Sequence, residues 1–307
     1  MLERKRLDPK RLGFLWLVLT FMVATEVLAE AVSHEYLGLT VVGNLELAPA
    51  KSLKGDGAVL LVHDSLAHHT DSTIAKLQSA LLAKGQNSVA MSLSLGMNQR
   101  KSAFDCALEH DHRHGDASDE IVAWVEWLQA KGANRVSIVG HGRGATQAAL
   151  SAAERQDMGI SRLVLANPPQ VAPLATGARY QQQFGQPLTP VLEQARKLVD
   201  DGEGDTLLNV PGFLTCTKAR TTAAAFVDYY GGDNRQDITS LLPDLKQHTL
   251  VVVAGQEATA PEFEKTLSLF VVPGRLAFQT VTEADNGFSG VSGDQLAELV
   301  VKFVTAQ

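Results

Sequence analysis

Runs rich in apolar residues recur along the chain and predict buried strands. Six such runs are present: GAVLLVHD (57–64), NSVAMSLS (87–94), RVSIVG (135–140), ISRLVLANPP (160–169), HTLVVVAG (248–255) and RLAFQTVTEA (275–284). Strands that are apolar on both faces are typical of a parallel sheet with helices on either side. The pattern therefore predicts an α/β protein with a mostly parallel sheet flanked by helices.

Between these runs, apolar residues recur every three or four positions, which is the spacing of amphipathic helices. Three segments show it clearly: Ile74, Leu77 and Leu81; Ile121, Trp124, Val125 and Leu128; and Leu296, Leu299, Val300 and Phe303. Before the first run, EYLGLTVVGNLELAP alternates apolar and polar residues around Gly43-Asn44, which predicts an antiparallel hairpin there.

The regular alternation breaks once, in residues 170–246. This segment shows helical patterns such as PVLEQARKLVDDG and no convincing buried strand. It is therefore predicted to be a helical cap, inserted between two core segments, 36–169 and 247–307.

The size and charge of the chain limit its function classes. It has 307 residues, 45% of them hydrophobic, which is enough for a large buried core. The formal net charge is −7, and the sequence has no basic stripe. This balance argues against nucleic acid as a partner.

The first 31 residues have the pattern of a secretory signal peptide. A basic segment is followed by an apolar run from Gly13 to Thr25 and by Ala29-Glu30-Ala31. We expect cleavage before Val32 and a periplasmic or secreted protein. The apolar run is shorter than the roughly 20 residues that a membrane-spanning helix needs. An uncleaved anchor, which would place the chain at a membrane, is the alternative.

The segment VSIVGHGRGATQAA (136–149) predicts a strand, a sharp glycine-rich turn and a helix of small residues. The nucleophile elbow of α/β-hydrolases is G-x-S-x-G at such a turn, and this chain has Gly140-His141-Gly142-Arg143-Gly144. With its order of strands and its cap, the chain over 36–307 resembles the α/β-hydrolase family. MSLSLG, FDCALEHDHRHGDASDEIVAWVEWL and GDTLLNVPGFLTC resemble an exported bacterial subfamily.

The resemblance implies a serine, an acid and a histidine at three places, and the chain departs from all three. Gly142 stands at the nucleophile position, Ala258 at the acid position with Glu257 one residue earlier, and Asn286 at the histidine position. In the oxyanion loop, Asp64 follows His63 where the family has His-Gly. Because a catalytic triad works as one unit, we expect no serine-hydrolase activity.

The loops after the predicted strands indicate a ligand pocket. In a parallel sheet these loops share the carboxyl edge, where α/β proteins bind ligands. Seven of the nine histidines follow predicted strands: His63, His68, His69, His110, His112, His114 and His141. We expect the pocket to be lined by His63, Asp64, His141 and Arg143.

The His-x-His-x-His spacing of His110, His112 and His114 admits two interpretations. Alternate imidazoles with nearby carboxylates such as Asp111 and Asp116 suit Zn²⁺ or Cu²⁺. The same residues also fit a polar loop that is a structural feature of the subfamily, and on that interpretation the chain holds no metal and no cofactor.

Cys106 and Cys216 are the two cysteines of the chain. In an oxidising compartment they permit one disulfide, which would connect the core to the cap. Two unpaired thiols are the alternative.

Three functions are compatible with these observations. The first is a catalytically inactive α/β-hydrolase-like protein that binds a small-molecule ligand or an exported protein partner in the pocket at the carboxyl edge of the sheet. The second is an active ester or amide hydrolase with an altered or metal-assisted mechanism. The third is a structural or chaperone-like component of the cell envelope.

Overall fold

The structure, a computed structural model, describes residues 29–169 and 173–306. The basic and apolar segments of the predicted signal peptide lie outside these ranges, so that peptide stays a prediction. Among the described helices, none is both long enough and apolar enough to cross a membrane.

The strands are numbered in chain order: β1 (Glu30–Tyr36), β2 (Leu39–Glu46), β3 (Ala58–Val62), β4 (Ser88–Ser92), β5 (Glu109–His110), β6 (Val136–His141), β7 (Ile160–Ala166), β8 (Leu207–Phe213), β9 (Cys216–Thr222), β10 (His248–Ala254) and β11 (Leu276–Val281). The α-helices are α1 (Leu53–Asp56), α2 (Ser72–Ala83), α3 (His114–Ala130), α4 (Arg143–Glu154), α5 (Pro173–Phe184), α6 (Leu188–Asp200), α7 (Ala223–Tyr230), α8 (Ile238–Leu241), α9 (Ala260–Ser268) and α10 (Val291–Thr305). Short 3₁₀ turns span Asn234–Gln236 and Leu242–Asp244.

Eight strands form the central sheet, in the order β1-β2-β4-β3-β6-β7-β10-β11. The pairs β1–β2 and β2–β4 are antiparallel, and the other five neighbouring pairs are parallel. Every residue of β3, β4 and β6 is buried, as their apolar runs predict. The predicted α/β architecture with a mostly parallel sheet is confirmed.

Helices cover both faces of this sheet. On one face, Trp124 and Leu128 of α3 pack with the small residues of α4 and with Phe263 of α9. On the other face, Leu77 of α2 packs with Leu296 of α10. The carboxyl ends of the parallel strands face the cap, whose described residues run from 173 to 246.

The first hairpin turns at Leu37-Gly38, and the prediction of a turn at Gly43-Asn44 is wrong. Leu37 and Gly38 have φ values of 47° and 80°, as a two-residue type I′ turn requires. Gly43 lies inside β2, where an added Cβ would be 2.7 Å from the carbonyl oxygen of Ala90 and 3.0 Å from the Trp124 ring. Glycine at this position allows close packing rather than a turn.

The inserted segment is not purely helical, which corrects the sequence prediction. Strands β8 and β9 form an antiparallel hairpin within it, and β9 also pairs in parallel with β5 of the preceding core segment. Asn209 in β8 and Arg220 in β9 are exposed, and Pro211 interrupts β8. These strands lack an unbroken apolar run, so the pattern that revealed the central sheet could not reveal them.

Candidate functional site at the elbow

The elbow forms where the sequence predicts it, between β6 and α4. Gly142 joins the two elements with φ 56° and ψ −127°, a backbone conformation that favours glycine. Close packing fixes the turn, because an added Cβ on Gly144 would lie 2.9 Å from the carbonyl oxygen of Val62 in β3. The N-terminus of α4 thus lies against the end of β3.

The carboxylate of Asp64 fills the space above Gly142. An added Cβ on Gly142 would lie 2.5 Å from Oδ2 of Asp64 and closer still to its Cγ and Oδ1. No real Cβ approaches another heavy atom that closely without displacing it. Residue 142 therefore cannot carry a side chain while the Asp64 carboxylate stays in its present position.

Oδ1 of Asp64 accepts two backbone hydrogen bonds at this place. The N–H of Ser65 donates at 2.6 Å and the N–H of Arg143 donates at 2.7 Å. In an α/β-hydrolase elbow, the N–H after the nucleophile and an N–H from the loop after the first core strand form the oxyanion hole. In this chain the equivalent N–H groups, those of Ser65 and Arg143, donate to the Asp64 carboxylate. The N-terminus of α4 also stabilises this carboxylate.

His63 holds the backbone of Asp64 but does not line a pocket. Its Nδ1 lies 2.7 Å from the carbonyl oxygen of Asp64, while its Nε2 accepts the N–H of Leu93 at 3.0 Å and lies 3.0 Å from the Arg100 guanidinium. Two donors at Nε2 place the proton on Nδ1. Burial, and then the charge of Arg100, lower the pKa of His63 to about 3, so the ring is neutral.

The positions of the acid and the histidine lie on the loops after β10 and β11. Asn286 is exposed, and its Oδ1 accepts a hydrogen bond from Nδ2 of Asn167 at 2.6 Å. Nε2 of His141 lies 3.0 Å from the backbone oxygen of Asn286, so His141 is buried beneath this loop. Ala258 is exposed in the turn after β10.

A cavity of about 270 Å³ lies over the elbow, between the core and the cap. Its lining includes Asp64, Gly142, Arg143 and Asn286 from the core, and Arg179 and Leu214 from the cap. Of the four residues that the sequence predicts to line a pocket, Asp64 and Arg143 do so. His63 and His141 do not belong to the lining, which corrects that expectation. Of the triad positions, Gly142 and Asn286 face the cavity and Ala258 does not, whereas Glu257 does.

Arg143 links the elbow to the cap. Its Nε donates to Oγ of Ser65 at 3.2 Å, and its Nη1 donates to Oε1 of Gln236 at 3.0 Å. Its guanidinium lies over the ring of Tyr229, 5.1 Å from the centroid, within the range of a cation–π contact. One side chain thus contacts the oxyanion loop, helix α7 and the turn after it.

The three closely spaced histidines are buried beneath the cap. Nδ1 of His110 lies 3.3 Å from Nε2 of His112, and Nδ1 of His112 lies 3.0 Å from the hydroxyl of Tyr229. Burial is the main cause that lowers their pKa values, to about 4 for His110 and about 3 for His112 and His114. Within residues 29–169 and 173–306, no group of three or more His, Cys, Asp or Glu side chains is arranged to hold a metal ion.

A disulfide joins Cys106 to Cys216, as the sequence allows, with 5.4 Å between the Cα atoms. It connects the segment before β5 to the first residue of β9. The adjacent β5–β9 pairing and an ion pair of 2.9 Å between Glu109 and Arg220 lie beside it. The cap is thus attached to the core covalently as well as by packing.

Sequence reasoning missed several residues of the cavity, among them Asn167 and Arg179. Asn167 directly follows β7, so the rule that ligand sites lie at the carboxyl ends of parallel strands could have found it. Arg179 lies on α5 without any local motif, and only the packing of the cap brings it to the elbow.

Comparisons with known proteins place the chain among α/β-hydrolase structures. No protein-family model and no curated protein matches the sequence. Est1E from Butyrivibrio proteoclasticus, in its complex with ferulic acid, superposes with a TM-score of 0.63 at 16% identity, covering 89% of this chain and 98% of that one. The Pyrococcus furiosus esterase Pf2001 gives 0.59 at 15% identity, with 91% and 90% covered.

A dienelactone hydrolase from Anabaena variabilis gives a TM-score of 0.54 at 17% identity, with 90% of this chain and 96% of that chain covered. The identities are low, so the likeness concerns the fold. Together with the eight-stranded sheet and the elbow after β6, these likenesses show that the chain has the α/β-hydrolase fold.

Proposed function

We propose that this chain is an exported α/β-hydrolase-like protein that does not work as a serine hydrolase and that uses the cavity at the elbow to bind a small molecule. The observation that carries the proposal is the position of the Asp64 carboxylate. It overlaps the place of a side chain at position 142, and it takes the N–H groups of Ser65 and Arg143.

The chemistry of ester hydrolysis supports this proposal. A serine hydrolase needs an activated hydroxyl and donors for the oxyanion that develops on the substrate. Gly142 has no hydroxyl, and the amide of Asn286 is not a base at neutral pH. A substrate oxyanion would meet the negative charge of Asp64 instead of two open N–H groups. These three features act together against the same reaction.

Two observations support ligand binding and export. The cavity over the elbow has a volume of about 270 Å³ and several charged side chains in its lining, so a small molecule has room there. The disulfide between Cys106 and Cys216 is typical of proteins outside the reducing cytosol, which agrees with the signal pattern at the N-terminus.

Activity-based labelling tests the proposal directly. Purified protein should not react with a fluorophosphonate probe, and it should not hydrolyse a panel of esters, amides and lactones, with or without a chelator. A serine hydrolase of the same fold is the positive control, and heat-treated protein is the negative control. Turnover that survives purification and is lost with Asp64→Asn would show an altered mechanism and overturn the proposal.

Export is tested by the mass of the protein recovered from the cell envelope or the medium. We expect a chain that begins at Val32. Recovery of the intact chain with Met1 in a membrane fraction would favour the uncleaved anchor, and recovery from the cytosol would contradict export.

A further inference from the structure

The lining of the cavity over the elbow carries charges of both signs. Asp64 and Glu257 supply two carboxylates, and Arg143 and Arg179 supply two guanidiniums. The volume, about 270 Å³, is just below the range of roughly 300–1,000 Å³ that is typical of drug-sized ligands. A cavity of this size has room for a small polar molecule.

Asp64 presents a hydrogen-bond acceptor to the cavity. Its Oδ1 is fully used by the N–H groups of Ser65 and Arg143. Its Oδ2 lies 2.5 Å from the place where a Cβ of residue 142 would be, and no described residue donates a hydrogen bond to it. An ammonium group in the cavity would supply that donor, and a charge-assisted hydrogen bond of this kind is stronger than a neutral one.

Arg143 and Arg179 place two positive charges near each other. Partial desolvation and then the charge of Arg143 lower the pKa of Arg179, whereas the carboxylate of Glu257 opposes the shift. A second anionic group near the two guanidiniums would relieve their repulsion further. Arginine is also the side chain that best matches a carboxylate geometrically.

We propose that the cavity binds a small zwitterion, with its ammonium group against Oδ2 of Asp64 and its carboxylate near Arg143 and Arg179. This inference rests on the proposed binding function of the cavity and adds the chemical class of the ligand.

Ligands of other charge types fit this lining less well. A simple carboxylate would find the elbow N–H groups occupied and would be repelled by Asp64. A simple amine would be attracted to Asp64 but repelled by the two guanidiniums. An uncharged ligand would displace water from the four charged groups without offering them an opposite charge, which is unfavourable.

Binding of matched probes tests the inference. The zwitterions alanine, β-alanine and γ-aminobutyrate differ in charge separation, while butylamine and butyrate each carry one end of γ-aminobutyrate. Affinities are measured by calorimetry or by ligand-observed NMR on the unmodified chain. We expect at least one zwitterion to bind about tenfold or more tightly than both single-charge probes, the gain from one additional charge-assisted hydrogen bond.

Two variants assign the two ends of the ligand, and a third is the control. Asp64→Asn keeps the shape of the side chain and removes its charge, and Arg179→Gln removes one guanidinium. Each should weaken the best zwitterion about tenfold or more. The matched control is Arg220→Gln, which alters an exposed arginine of the cap outside the cavity and should leave the affinity unchanged.

Other results would overturn the inference. Equal affinity for butyrate and the best zwitterion, equal affinity for butylamine, or no binding of any probe would each do so. If Asp64→Asn does not fold, the probe comparison on the unmodified chain decides alone. Hydrolysis is scored in a separate assay, so failure of this inference is distinguishable from failure of the proposed loss of activity.

Discussion

The exclusion between Asp64 and a side chain at position 142 leads to a quantitative prediction for Gly142→Ala. Backbone strain at φ 56° costs an alanine about 1–3 kcal/mol. The new Cβ must also displace the Asp64 carboxylate and break its two hydrogen bonds, at 2.6 and 2.7 Å. Hydrogen bonds to charged groups contribute about 1.5–3 kcal/mol each, and Asp64 is half-buried, so we take the lower value and about 3 kcal/mol for both.

Gly142→Ala should therefore lower the free energy of unfolding by about 4–6 kcal/mol in the unmodified chain. With Asp64→Ala already present, no carboxylate remains to be displaced, so the same change should cost only the strain, about 1–3 kcal/mol. The coupling energy between the two positions is then about 3 kcal/mol. With Asp64→Asn, whose neutral amide makes hydrogen bonds of about 1 kcal/mol each, the coupling should be about 2 kcal/mol.

Urea unfolding of the oxidised protein, followed by tryptophan fluorescence and circular dichroism, measures all members of the cycle. The graded series from Asp to Asn to Ala at position 64 is the internal control, since all three keep a Cβ at that residue. Additive effects within about 0.5 kcal/mol would refute the reasoning, because they would mean that the carboxylate does not occupy the space above Gly142.

Three further predictions follow from the site. Three buried histidines have pKa values of about 3 in the folded chain: His63, His112 and His114. Between pH 6.5 and pH 3 they are neutral in the folded chain and take up protons when the chain unfolds. Stability should therefore fall as the pH drops below about 6.5, by up to about 1.4 kcal/mol per pH unit for each histidine, and equal urea midpoints at pH 7 and pH 5 would contradict this. Reduction of the disulfide, or Cys106→Ser with Cys216→Ser, should lower the free energy of unfolding by about 3–5 kcal/mol, because the cysteines are 110 residues apart. If two free thiols are titrated in denatured, unreduced protein, the bond does not form. Gly142→Ser alone should give no ester turnover, because the new side chain collides with Asp64 and has no base beside it. Gly142→Ser combined with Asp64→Gly, Ala258→Asp and Asn286→His should give weak turnover. Ester turnover by the single variant in an esterase assay would count against the described geometry.

The central sheet and its helices could be predicted because burial leaves a direct signature in the sequence. Strands β3, β4 and β6 are buried on both faces, so most of their residues are apolar and none is a carboxylate, lysine or arginine. The hairpin β8–β9 is exposed at Asn209 and Arg220, so its pattern is not distinguishable from a polar loop. Gly43 misled the prediction because a glycine that permits close packing and a glycine that forms a turn look the same in a sequence.

At the site, the sequence identified Asp64 and Arg143 among the residues of the cavity, but not the directions of their side chains. Asp64 could be recognised as a departure from the oxyanion loop, yet its role depends on where its carboxylate points. That direction follows from the N–H groups of Ser65 and Arg143, which belong to different elements brought together by β3 and β6. His63 was expected in the pocket because it follows a strand, but its ring is fully buried and is held by Leu93 and Arg100.

The disulfide between Cys106 and Cys216 turns part of the chain into a covalent ring. The ring contains helix α3, the elbow, β7 and the first part of the cap, and it includes Arg143 and Arg179, two of the four charged side chains that line the cavity. A single protease cut anywhere inside it opens the ring without releasing a fragment, so the cut protein keeps its full mass on a non-reducing gel and separates into pieces only after reduction. The cavity over the elbow thus stays within one covalently connected molecule after a single cut that would divide a chain without this bond into two pieces.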